Sequence, residues 1–286
     1  MSNTLSASLI LDTLSKRTQT TIGYQFAPLG GFASDFSEDV LNQGQAVQVP
    51  LATAGGTAQT NPTNWESGDS TIANVPVTVA DYSVSFHITP LQMNNSYKLA
   101  QLMEINVQNF VNKIMDIAVG PLNSTHWTNF IEAAATFSTT NLKTIWGGIA
   151  RSPIKNIMLD GTYYQNFLPA SLTTEIGPRA GLAGFDGFFL NTRFNGAGTN
   201  VMGFAGGKQS IAYVSGLPSY DDETKADLNA TVIQIPIDGK GLTLPVMACT
   251  WLSRATRTRW ASLDVMFGAA KLDNTKGYLI KSGGSA

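Results

Sequence analysis

Between Tyr97 and Val119 the apolar positions return every three or four residues. Leu99, Met103, Val107, Phe110, Val111, Ile114, Ile117 and Ala118 form one stripe, and Gln101, Glu104, Gln108, Asn112 and Asp116 form the opposite face. This pattern predicts a single amphipathic helix over 97–119. Asn94, Asn95 and Ser96 offer cap oxygens ahead of it, and Gly120-Pro121 supplies a permissive residue and then a breaker. At about 1.5 Å per residue the helix is roughly 35 Å long, the width of a small domain.

Ahead of the helix the period changes to two. Val47 and Val49 alternate with Gln48 and Pro50 over 45–51, and a polar stretch rich in turn formers follows. Val75, Val77 and Val79 alternate on the return, the register slips near Ala80-Asp81, and Tyr82, Val84, Phe86 and Ile88 resume it. The slip predicts a bulge or bend. A two-stranded ribbon is marginal alone in water, so the reading is a hairpin that projects and lies across another subunit. Further upstream, Leu5, Ile10, Leu11 and Leu14 predict a short helix over 5–16. Tyr24, Phe26, Phe32 and Phe36, spread around Pro28 and Gly30-Gly31, then read as an irregular apolar arm. Its aromatics need a surface, in cis or on a neighbour.

After the long helix the pattern is mixed. A helix is expected over 125–136, capped by Asn123 or Ser124 with Trp127, Phe130 and Ile131 inward; another covers 142–150, weakened by Gly147-Gly148. A buried strand at 155–159 leads to a short helix at 161–168 that Pro169 ends. Strands are expected at 184–190, 209–214, 231–237, 246–252, 260–267 and 278–280, with turns near 196–200 and 206–209 and an acidic polar loop at 219–229. Strands and helices do not alternate regularly, so the fold class is α+β.

Composition sharpens this picture. Charged residues make up 13% of the 286 positions, against roughly 25% in ordinary soluble domains. Apolar content is 43%, enough to build a core. A weakly charged exterior suits a protein whose surface is covered by copies of itself, and equally a bland soluble protein. The net charge of −2 provides no global basic field for nucleic acid. The single cysteine, Cys249, excludes an internal disulfide framework. The N-terminus lacks the apolar core of a secretory signal, and no apolar run is long enough to span a bilayer as a helix. The expectation is synthesis in a bacterial cytoplasm with no membrane partner.

Catalytic chemistry finds little footing. His87 and His126 are the two histidines, and neither has a Cys or His at ligand spacing. No G-x-S-x-G or H-E-x-x-H occurs, and Gly206-Gly207-Lys208-Gln209 lacks the Ser or Thr of a phosphate loop. Cys249 reads as a small buried hydrophobe. Asp221, Asp222 and Glu223 read as a solvated loop rather than a cation site. No enzyme activity, cofactor or metal is expected. One stretch carries a charge signature: Arg254, Arg257 and Arg259 between Trp251 and Trp260. Such a cluster contacts phosphates and bases or pairs with acids on a neighbouring subunit through arginine's fork; the second reading is preferred.

VQVPLA, the Gly-rich gap and NVPVTVADYSVSFHIT, the helix from Tyr97 to Val119, LKTIWGGIARSPIKNIMLDGTYYQNFL, GLAGFDGFFLNTRF with GFAGGKQSIAYVSGLP, and VMFGAAKLDNTKGYLIKS follow one another in a telling order. In that order the chain resembles the Hong-Kong-97-type major capsid proteins of tailed double-stranded DNA phages over nearly its whole length. The resemblance implies an N-terminal arm (1–38), an extended β-hairpin loop (39–90) and a peripheral domain (91–140) holding the spine helix. An axial domain (141–250) and a return to the peripheral domain (251–286) complete it. It implies a non-catalytic virion protein that assembles as hexamers and pentamers into an icosahedral shell around weakly and non-specifically held double-stranded DNA, alongside portal and decoration proteins.

Residues expected between subunits are Tyr24, Phe26, Phe32, Phe36, Val47, Val49, Trp65, Val77, Tyr82, Arg254, Arg257 and Arg259. Two departures matter. Some members cross-link through a lysine in the extended loop, but none lies between Lys16 and Lys98, so no such cross-link is expected. No room is seen for a scaffolding segment ahead of the arm, so a separate scaffolding protein, or none, is expected. The alternative sharing this fold is an encapsulin-type compartment shell; another virion structural protein is a further one.

Overall fold

The long helix is present as α3 (Ser96–Val119), and its stripe is buried from Leu99 through Met103, Val107, Phe110, Val111 and Ile114 to Ala118. The structure is a computed structural model, and it describes residues 7–37, 46–54, 60, 71–89, 92, 96–132, 137–149, 152, 154–168, 184–194, 200–237, 242–253, 255–256 and 258–283.

What covers that stripe differs from expectation. The short helix instead continues to the start of the expected arm as one helix, α1 (Ala7–Phe26), packed on α3. Its buried face runs Ile10, Leu14, Thr18, Ile22, Phe26, one residue every four. Thr18 sits at a core position and returns its hydroxyl to the Leu14 carbonyl at 2.7 Å, which satisfies it inside a helix. One polar residue in the stripe hid its second half. The chain then turns through α2 (Leu29–Phe32) into β1 (Ala33–Asp35). A Cβ on Gly31 would lie 1.4 Å from Asn156 Nδ2, so this close approach requires glycine.

Among the described residues the strands form three sheets. The first combines β1, β4 (Ala80–Ile88), β9 (Ile211–Gly216), β10 (Thr231–Ile237), β11 (Leu242–Leu252) and β12 (Arg259–Lys271). The strand order is β1-β9-β12-β11-β10, and β4 also pairs with β12. Alternation sorts each strand's side chains. Ala261, Leu263, Val265 and Phe267 of β12, with Val84, Phe86 and Ile88 of β4, join the core shared with α1 and α3. The second sheet runs β5 (Phe130–Glu132), β13 (Gly277–Lys281), β8 (Val201–Gly207), β6 (Lys155–Leu159), β7 (Gly187–Leu190). Beside it lie α4 (Thr139–Gly148) and α5 (Gly161–Tyr164), sharing a core of Leu142, Ile145, Ile157, Leu159, Phe185 and Ile280. Asp160 caps α5, accepting from the Thr162 amide at 2.9 Å.

The third sheet is the predicted hairpin, β2 (Ala46–Ala54) with β3 (Thr71–Thr78). The register slip is real: the strand breaks at Val79, and beyond it the chain leaves β2 to pair with β12 as β4. The surface the hairpin needs is the chain's own. Val47, Val49, Val77 and Val79 pack on Ala212, Val214, Met266 and Leu272, so its base is seated in cis. The distal stretch, including Trp65, lies largely outside the described residues.

Other differences have local causes. Of the helix expected over 125–136, the described residues 125–132 form a turn followed by β5, and 133–136 lie outside the described residues. The Asn123 side chain closes that turn, donating to the Gly120 carbonyl and accepting from the amides of Thr125 and His126. Trp127 is buried as expected, but Phe130 is exposed. The loop at 219–229 contains a short helix, α6 (Asp222–Asp227). β8 escaped prediction because VMGFAGG has turn composition, yet every residue is buried. Its glycines let Leu159, Phe204 and Ser152 press close. The division expected at residue 250 falls inside β11; the chain passes from the second sheet to the first between β8 and β9.

Replacing Phe26, fully buried against Phe267, by Ala should lower unfolding free energy by about 3–5 kcal/mol. Tyr24→Ala, two residues away on the exposed face, should change it by less than about 0.5 kcal/mol. Urea denaturation followed by far-UV circular dichroism reads both.

Candidate assembly surfaces

The residues proposed to meet a neighbour divide sharply by exposure. Tyr24 is 85% exposed, whereas Phe26 and Phe32 are fully buried inside the chain. Phe32 meets Phe204 edge-on at 5.5 Å. Val47, Val49 and Val77 are buried under the hairpin, and Phe36 packs beside them. Tyr82 packs against the main core. Phe26, Phe32 and the three valines therefore have no free surface, because α1 and the seated hairpin already bury them. Arg259 is half-buried at the start of β12; Arg254, Arg257 and Trp65 lie outside the described residues.

Strand geometry separates what the sequence interleaves. Arg259 and Trp260 are adjacent on β12 and project to opposite faces. On the face turned away from α1 and α3, His87, Trp260 and Trp251 form a row across β4, β12 and β11. Their ring centroids lie 5.6 and 6.3 Å apart.

The exposed apolar residues lie mostly elsewhere. Tyr97 and Ile105 stand on the outer face of α3, and Ile72 on β3 is 68% exposed. Tyr24 and Leu190 border a cleft of about 390 Å³ with Tyr164, Phe188, Asn112 and Arg193. In the cleft, Arg193 holds Asp116 with both ends of its fork, Nε donating to Oδ1 at 2.6 Å. The pair ties α3 to the turn after β7, and the hydrogen bond to Asp116 raises the Arg193 pKa. A signal for Tyr97 and Ile105 was present in the sequence: both are apolar yet out of phase with the buried stripe.

The remaining chemistry is structural. Lys155 is buried beneath Trp146, its Nζ 4.1 Å from the ring, and donates to the carbonyls of Trp146 and Ile149 at 2.8 and 3.1 Å. It closes the C-terminal end of α4, where cations are favoured, and burial lowers its pKa. Asp221 caps α6 by accepting from the Thr224 amide at 2.6 Å, and that bond lowers its pKa. The acidic run is thus a helix start. Burial pushes the Cys249 thiol up to about 12, so it stays protonated at neutral pH and is no nucleophile. Among the described residues no three His, Cys, Asp or Glu side chains gather as a metal site would need, and no helix is long and apolar enough to cross a membrane.

No protein-family model matches the sequence, and no curated protein does. Solved structures match over most of the chain. The capsid of an empty GTA particle superposes with a TM-score of 0.56 at 10% identity, covering 91% of this chain and 97% of that one. A structure from Gordonia phage Cozz gives 0.54 at 10% identity over 91% and 87%. The virus-like particle from Pyrococcus furiosus gives 0.53 at 7% identity over 94% and 98%. At such low identity the likeness is one of backbone path. The chain has the fold of capsid and virus-like-particle subunits.

Substituting Lys155→Met keeps the apolar stem but leaves two carbonyls at the end of α4 without their donor. Thermal or urea unfolding should register a loss of about 1–3 kcal/mol.

Proposed function

We propose that this chain is the major capsid protein of a tailed double-stranded DNA phage. It assembles as hexamers and pentamers into an icosahedral shell, performs no chemistry and resides in the virion. The observation that carries the reading is the whole-chain agreement of fold with capsid subunits, the GTA capsid matching over 97% of its own length. Low charge and exposed apolar side chains on several elements support it, because such residues gain from being covered. Tyr24, Tyr97, Ile105 and Ile72 are the side chains best placed to meet neighbouring copies. The distal hairpin and the Arg254–Arg259 segment are further contact segments. The net charge of −2 fits a lining that holds double-stranded DNA weakly and without sequence preference. A portal, decoration proteins and a separate scaffolding protein are the partners this role implies. Synthesis in the host cytoplasm precedes assembly.

An encapsulin-type compartment shell is the second reading, supported by the match to the Pyrococcus furiosus virus-like particle at a similar TM-score. Contents separate the two. Negative-stain microscopy of the protein, alone and with the products of neighbouring genes, should show closed shells or capsomer sheets. Nucleic acid inside supports the phage role, and a cargo enzyme supports the compartment. A monomer under every condition would overturn both.

Changing Arg254, Arg257 and Arg259 together to Gln should reduce shell yield if they pair with acids on a neighbour. Normal yield with failed packaging would assign them to DNA, and the same grids with a nuclease-protection assay distinguish the outcomes. Tyr24→Ala should lower shell yield while leaving the subunit's stability unchanged.

A further inference from the structure

The hairpin meets the body at Val79, where β3 ends at Thr78 and β4 begins at Ala80. Asp81 follows two residues later. Tyr82, Val84, Phe86 and Ile88 take the helical side of β4, so Asp81 projects from the opposite face. On β12 that same face carries Ser262, Asp264 and Met266. Asp264 is paired in register with Ser83, which makes Asp81 and Asp264 diagonal neighbours on one face. Cys249 on β11 joins them opposite Ser262, and Tyr220, in the segment after β9, faces the group and senses both carboxylates.

This acidic group borders the hairpin's seat. Met266, the next side chain on that face, belongs to the cluster of Val47, Val49, Val77 and Val79. The backbones also touch there: a Cβ on Gly268 would lie 2.3 Å from the Thr78 carbonyl oxygen. Asp264 is 5% exposed and accepts from the Ser262 hydroxyl at 2.8 Å. Asp81 Oδ1 is shielded from solvent and has no hydrogen-bond partner among the described residues.

We propose that Asp81, diagonal to the buried Asp264, is a proton-operated latch at the pivot of the β2–β3 hairpin. While Asp81 holds a proton, the hairpin base stays seated on the body sheet; when it is ionised, the seat loosens at Val79.

The electrostatics support this geometry. Burial raises the Asp81 pKa, the Asp264 charge raises it further, and a backbone hydrogen bond at Tyr82 opposes both. The other titratable groups facing the pair are the Cys249 thiol and the Tyr220 hydroxyl, which both gain negative charge on ionising. Burial is the first cause of the upward shift in each. A proton on Asp81 removes its like-charge interaction with Asp264. The seated state binds that proton more tightly than a released one. By linkage, seating is strongest below the ordinary carboxylate value of 3.8. It weakens as pH rises through the raised value, and the penalty persists at neutral pH. The latch needs only the folded subunit and does not depend on the shell reading.

Hydrogen exchange by mass spectrometry on the full chain, from about pH 4 to about pH 8 and corrected for intrinsic rates, tests it. Amides of 46–54 and 71–78 should lose protection as pH rises. The loss should be confined to these two segments and follow the ionisation of Asp81. Amides of α3 and β10 should show a flat corrected profile. Asp81→Asn cannot ionise, so it should keep the hairpin protected at high pH and abolish the slope; Asp264→Asn removes the neighbouring charge but not the burial, so it should reduce the slope without abolishing it. If the more buried Asp264→Asn fails to fold, Asp81→Asn decides alone. A wild-type slope in Asp81→Asn, or a flat hairpin profile in the wild type, overturns the latch.

Discussion

Burial of the α3 stripe is the constraint from which the rest of the architecture follows. A helix of this length cannot leave such a stripe in water, and two unlike surfaces cover it. α1 lies against it in a helix-on-helix contact, while β4 and β12 present the alternating apolar face of a sheet. Because β12 pairs with β4, β9 and β11, seating the helix also fixes the sheet that joins the early and late parts of the chain. The Arg193–Asp116 pair then ties the second sheet to the same helix.

The hairpin stands in a different physical relation to the body. Its base has a small apolar cluster of its own, and its pivot sits where alternating valines give way to a strand carrying a partly buried carboxylate. One end of the ribbon is thus held by hydrophobic contact, and beside that contact lies a group whose charge is costly. A segment held in this way can keep its strand pairing while changing its angle to the body.

Surface composition and exposure point the same way. With 13% charged residues, the exterior depends on amides, hydroxyls and small side chains for its solubility. Large apolar side chains then stand out on α1, α3, β3 and β7. The residues buried around them are committed to internal structure, including Lys155 at the end of α4 and Cys249 within β11.

The sequence by itself determined elements with a clear local pattern: α3, β6, β10, both arms of the hairpin and a break near Ala80-Asp81, which the structure has at Val79. It also located Trp127 as core. Local periodicity suffices there because each residue's environment is set by its own element. Only the tertiary structure decided the rest. Thr18 continues a helix because it can satisfy its hydroxyl within that helix. β8 is a strand because β6 and β13 enclose its glycines, and Asn123 makes a turn where the local pattern resembles a helix. Of the candidate contact residues among those described, only Tyr24 retains a largely free side chain. Phe26, Phe32 and the hairpin valines are claimed from within, because an apolar side chain in sequence does not specify which copy of the chain will cover it.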